Sequence, residues 1–160
     1  MATHRAQVPN PSGDPGISGH VATLEFSRVD LNKGTAVFVL RPADGTAAPE
    51  IPVPLSQIRP NTLEDREDLW KSLVKSILDS FRDGGRYPEF VKGHEVWTDA
   101  DSTGEPALYV RILVGPSKGP ASNAQVDKWN QFLSQVQDTL IRLRLQRWPY
   151  VQLGEQRRKR

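Results

Sequence analysis

The sequence predicts an α+β fold: an N-terminal three-stranded β-meander followed by an α-β-β-α(-β) unit, with the helices packed on one face of an antiparallel sheet. Two patterns carry that expectation, together with the punctuation between them. From Val21 onward apolar and polar side chains alternate with a period of two, and two later stretches space apolar residues three and four apart. Clusters of Asn, Asp, Gly and Pro separate these segments.

The elements follow in order. Residues 1–19 hold Pro9, Pro11, Pro15, Gly13, Gly16 and Gly19 and almost no large apolar side chain, so they read as a flexible arm unable to offset its own ordering entropy. Residues 20–60 read as a β-meander subdomain. Ala22, Leu24 and Phe26 alternate with Thr23, Glu25 and Ser27 in a first strand, Asp30–Gly34 turns, and Thr35–Arg41 forms a second strand with both faces buried. Glu50–Leu55 is a third, in which Pro52 and Pro54 lack N–H groups on the same side and so mark an edge.

Residues 61–153 read as the α-β-β-α-β unit. Asn61 or Thr62, with Glu64 or Asp65 three residues on, suits a capping box. Leu69, Trp70, Leu73, Val74, Ile77, Leu78 and Phe81 then make one broad apolar helix face, ended by Asp83-Gly84-Gly85. Glu89–Thr98 and Ala107–Val114 are β-prone and joined by a polar loop, which predicts an antiparallel pair with Gly93 as a bulge. A second helix over about 124–146, capped by Ser122 or Asn123, carries the stripe Val126, Trp129, Leu133, Val136, Leu140 and Leu143. Ile141 and Leu145 lie off that stripe, and Trp148–Leu153 reads as a short last strand. Residues 154–160 form a basic C-terminal tail.

Composition narrows the function classes. The chain has 160 residues, 37% of them hydrophobic and 25% charged, so it can bury a core. Absence of cysteine excludes disulfides, thiolate catalysis and cysteine-ligated metals. No apolar run reaches the roughly 20 residues of a membrane span, and the first residues lack a signal-peptide stretch, so a cytoplasmic location is the expectation. Charge is unevenly spread: net zero over 1–60, −3 over 61–121 and +5 over 122–160, against a total of +2. The basic excess lies in Arg142, Arg144, Arg147, Arg157, Arg158, Lys159 and Arg160, which suits phosphate contacts or simple solubility.

Catalytic signatures are missing. The Asp99–Glu105 loop begins like a calcium loop, but the position of the bidentate glutamate is Val110, and Asp, Ser and Gly serve a hairpin turn equally well. His94 and Glu95 are adjacent on a strand and point to opposite faces, which counts against their serving one acid–base site. The phosphate-loop, serine-hydrolase, zinc-protease and dinucleotide motifs are absent, as is the E-x-K of metal-dependent nucleases. No cofactor and no metal are expected. Trp70 and Trp129 sit on apolar helix faces and suit the core, whereas Trp148 and Tyr150 follow the helix arginines and suit an interface.

The reading is therefore a non-catalytic interaction or accessory subunit of a cytoplasmic, bacterial complex, adaptor- or antitoxin-like, with another protein as partner through Ile141, Leu145, Trp148 and Tyr150. The alternative is an RNA- or DNA-binding protein that uses the basic, aromatic C-terminus. A third is a small nuclease or hydrolase centred on His94 and the Asp99–Glu105 loop.

Overall fold

The computed structural model describes residues 6–7, 21–46, 48–116 and 119–156. Within them the chain is α+β, with two sheets and two helices. The first sheet has the order β1-β2-β3-β4, from Ala6–Gln7, Val21–Asp30, Thr35–Arg41 and Glu50–Pro54, all antiparallel. The meander β2-β3-β4 is the expected one. The two-residue β1 is an addition, since Ala6 and Gln7 pair with Ala22 and Val21. The remainder of the arm over 1–19 lies outside the described residues.

A bulge between Phe26 and Arg28 resets the first strand. Leu24 and Phe26 before it and Val29 and Leu31 after it all pack against the core, although the inward set changes from even to odd numbers. Strand β3 is buried on both faces only over Ala36, Val37 and Phe38; Leu40 is exposed. Strand β4 is an edge. The Leu55 amide donates to the Gly34 carbonyl, so by alternation the positions of Pro52 and Pro54 face away from β3, where a missing N–H costs nothing.

The first helix, α1 (Glu67–Asp83), starts four to five residues later than the capping box implies, and its N-cap Arg66 makes no side-chain cap bond. Residues 61–66 form a loop instead. Asn61 takes a left-handed φ of 64°, and its amide donates to Asp65 Oδ2 at 2.8 Å. Asp65 does not cap the helix because it is occupied elsewhere. Its carboxylate accepts from the Trp70 indole at 2.7 Å and from Arg147, whose Nε lies 3.0 Å away and whose Nη2 closes a bidentate pair. Both side chains are buried, 8% and 6% exposed. Arg147 Nη1 also reaches the Ala107 carbonyl. The C-terminus ends as the sequence implies: Gly85 at φ 69° lets the Arg86 amide close on the Phe81 carbonyl at 2.8 Å.

The second sheet has the order β5-β6-β7, from Val91–Ala100, Pro106–Val114 and Trp148–Glu155. It is mixed rather than antiparallel, because β7 runs parallel to β6. The helix α2 (Asn123–Arg142), capped by Ser122 on the Gln125 amide, is the crossover that a parallel neighbour requires. It ends at Arg142 rather than near residue 146, and Arg144 then takes a left-handed φ of 53°. Among the described residues no helix is long and apolar enough to cross a membrane.

One core joins these layers. Leu69, Trp70, Leu73, Val74, Ile77, Leu78 and Phe81 of α1 occupy two adjacent stripes, so the helix contacts β2 of the first sheet and β5 of the second. Ala36, Phe38, Leu55 and Ile58 close it from one side, and Val96, Leu108, Val110 and Ile112 from the other, with Phe132, Val136 and Leu140 of α2.

Replacing Asp65 by Asn leaves Arg147 charged and buried without a counter-ion, and should cost about 3–5 kcal/mol in urea unfolding. Burial pushes the Asp65 carboxyl up, but Arg147, the Asn61 amide and the Trp70 indole outweigh it and hold it below the ordinary 3.8. The stability it contributes is present above that unfolded value and is lost as pH falls through the lower folded one. Acid titration of unfolding should therefore be steeper below pH 3.8 in the wild type than in Asp65→Asn.

Candidate interaction face

Both helices lie on one side of the second sheet, so beyond the bulge between Val91 and Gly93 its side chains divide by parity. The inner set is His94, Val96, Leu108, Val110, Ile112, Pro149 and Val151. The outer set falls into rows that cross all three strands. Trp97, Tyr109 and Tyr150 form one row, and Glu95, Arg111 and Gln152 the next. At one end, Asp99 and Ala107 align with Trp148.

The aromatic row is a ladder. Trp97 and Tyr109 stack at 5.3 Å with planes 9° apart, and Tyr109 and Tyr150 at 5.4 Å and 18°. These separations are close to the distance between neighbouring strands, so each ring lies against the next and the row presents mainly edges to solvent. Arg111 lies 4.9 Å over the Trp97 ring and pairs with Glu95 at 3.1 Å. At the far side Tyr150 donates its hydroxyl to Asp101 Oδ2 at 3.1 Å, tying β7 to the β5–β6 hairpin. That bond raises the Tyr150 phenol above its ordinary value. Trp148 stands at the end of the face, 52% exposed.

Gly154 allows a close approach of β7 to the Arg111 side chain. A methyl group on Gly154 would meet the Arg111 side chain, at 2.7 Å from Cγ and closer still to Cδ, and Leu113 at 3.2 Å. Gly154→Ala should displace Arg111 from Trp97 and Glu95 and cost about 1–3 kcal/mol in thermal unfolding.

The residues expected at an interface are only partly together. Ile141 is 39% and Tyr150 37% exposed, both available with Trp148. Leu145 is half-buried and packs against the core, so it belongs to the fold rather than to a free surface. Of the basic residues, Arg142 and Arg144 are exposed. Arg147 is the correction: bound inside to Asp65 and Ala107, it has no group left for a phosphate. Arg157, Arg158, Lys159 and Arg160 lie outside the described residues. Trp97, Tyr109 and Arg111 were not singled out by the sequence reading, although their odd-numbered alternation with buried Val96, Leu108, Val110 and Ile112 places them together.

The enzyme-like candidates separate. His94 opposes Ile112 on the inner face and lines an open recess of about 510 Å³ with its neighbours Glu95 and Val96 and with Lys71, Ser72 and Lys75 of α1, whereas Asp101 sits in the hairpin turn. Asp101 Oδ1 accepts from the Thr103 hydroxyl and the Thr103 and Glu105 amides, so the turn itself occupies that oxygen. Lys71 and Lys75 are paired along the helix with Glu67 and Asp79. Among the described residues no group of three His, Cys, Asp or Glu side chains is placed to hold a metal ion. Trp70 is core, while Trp129 is half-buried against Phe90 with its indole N–H unpartnered.

Burial first, then Lys75 and Arg82, lowers the His94 imidazole from 6.5 against the opposing pull of Asp79. The shift favours the neutral ring, and the stability linked to it is present above 6.5 and lost as pH falls through the folded value. An NMR titration of the ring protons should give a midpoint below 6.5.

Within the described residues, fold and face define an α+β protein whose second sheet turns an aromatic surface away from both helices. No protein-family model matches the chain, and no curated protein or solved structure matches it.

Proposed function

We propose that the chain is a non-catalytic interaction subunit that holds a protein partner on the outer face of β5-β6-β7 and the adjoining end of α2. One observation carries this reading: Trp97, Tyr109, Tyr150 and Trp148 line a face that neither helix covers, with Ile141 exposed on α2. Trp, Tyr and Arg anchored in a fixed surface are the side chains on which interfaces concentrate their energy. Two features favour protein over nucleic acid. The ring faces are largely taken up by one another, whereas base stacking needs them free. The charge beside the ladder is also unfavourable for phosphate, since Glu95, Asp99 and Asp101 outnumber Arg111 and Arg147 is withdrawn.

Native mass spectrometry of the tagged chain from its own host tests this. The expected result is a second protein at fixed stoichiometry, lost from Trp148→Ala and Ile141→Asp while both variants keep the wild-type melting temperature. Retention of the partner by both variants, or recovery of nucleic acid that dissociates steeply with salt, would overturn the reading. Leu145→Asp is expected instead to lower the melting temperature, because it places a charge against the core.

A further inference from the structure

Among the described residues the edge strands are β1, β4, β5 and β7; β1 pairs over two residues only, and the other three are protected unequally. Edge β4 is closed by Pro52 and Pro54, and edge β5 carries Lys92, Glu95 and Asp99 with a bulge between Val91 and Gly93. Both are familiar barriers to further pairing. Edge β7 has neither kind of barrier over most of its length. Between Trp148 and Gly154 it holds no charged residue, and its one proline stands second. Among the described residues its only strand neighbour is β6.

The direction of its free groups follows from one bond. The Gln156 amide donates to the Val114 carbonyl at 2.9 Å, so Gly154, Gln152 and Tyr150 turn their backbone groups to β6. Val151, Leu153 and Glu155 therefore turn theirs outward, and the donor that Pro149 lacks is on the outward side as well.

We propose that two copies of the chain join through β7, antiparallel about a two-fold axis at Gln152, into one continuous six-stranded sheet. This register uses the stretch 149–155 against itself. Val151 and Leu153 of each copy exchange both bonds with Leu153 and Val151 of the other, and each Glu155 amide meets a Pro149 carbonyl, roughly six bonds in all. Moving the axis to Val151 leaves about four, because proline then faces Leu153 and supplies no donor. The axis at Gln152 also keeps parity. Val151 meets Leu153 on the helix side, Tyr150 meets Gly154 on the outer side, and no like charges oppose one another. A second copy is favoured over a foreign strand because this edge is complementary to itself in bonding pattern, apolar face and charge. The proposal concerns the edge and does not rest on what the outer face binds.

Sedimentation equilibrium of the purified full chain, over about 1–100 μM, tests it. The expected mass is twice the 17.9 kDa of one chain. Gln152→Glu puts two carboxylates across the axis on an exposed position and should raise the dissociation constant several-fold. Leu153→Pro removes an outward donor without touching the β6 ladder and should give monomer, with far-UV circular dichroism unchanged. If Leu153→Pro disturbs the fold, Gln152→Glu still decides. A wild-type monomer at the highest concentration, or a dimer indifferent to Gln152→Glu, overturns the proposal. Ile141→Asp and Trp148→Ala should leave the dimer intact, so failure of edge pairing and failure of the partner-binding face are read separately.

Discussion

The arrangement of the chain depends on one buried ion pair. Asp65 precedes α1 and Arg147 precedes β7, yet the two meet in a bidentate contact with the Trp70 indole and the Ala107 carbonyl around them. Four pieces are thereby held at one point: the loop before α1, the first turn of that helix, the start of β6 and the entry to β7. Such a pair adds little net stability over a well-packed apolar substitute, because desolvation offsets much of the attraction. Its consequence is geometric. Arg147 pairs with Asp65 just before β7 begins, and that contact sets where β7 enters the sheet.

From that entry point the rest follows by parity. With β7 parallel to β6, Pro149 and Val151 join the inner face, and Trp148, Tyr150 and Gln152 the outer one. A shift of one residue would bury Tyr150 and expose Val151. The inner face is covered by α1 and α2, and α1 meets the first sheet on its other stripe. Nothing in the described chain remains to cover the outer face. It stabilises itself by stacking its rings, by the Arg111–Glu95 pair and by the Tyr150–Asp101 bond.

What the sequence made legible was local. The β2-β3-β4 meander, the blocked edge at Pro52 and Pro54, the apolar stripes of α1, the Gly85 cap and the Ser122 cap all depend on neighbours within a few residues. The misreadings involve residues whose partners are remote. Asp65 looked like half of a capping box and Arg147 like a phosphate contact, because each was weighed without the other 82 positions away. Leu145 looked like interface because helix periodicity was carried past Arg142, where the chain leaves the helix through a left-handed Arg144. The pairing of β5 with β6 was legible; the place of β7 beside β6 and its parallel sense were not, since nothing in Trp148–Leu153 records its neighbour or its direction.

The same separation of local from remote explains why the sequence alone does not assemble Trp97 and Tyr109 into a site. Each occurs once in its strand, twelve residues from the other, and a single aromatic in a strand is as consistent with core as with surface. Only pairing aligns them with Tyr150 and turns three isolated residues into a continuous surface. The ladder also bears on what that surface is suited to hold. Rings stacked on their neighbours present edges and hydroxyls in a rigid array whose side-chain entropy is already spent, so a complementary protein surface loses little more on docking. A nucleobase, by contrast, needs an open ring face, and the stacking of each ring on the next, with Arg111 over Trp97, takes up most of them.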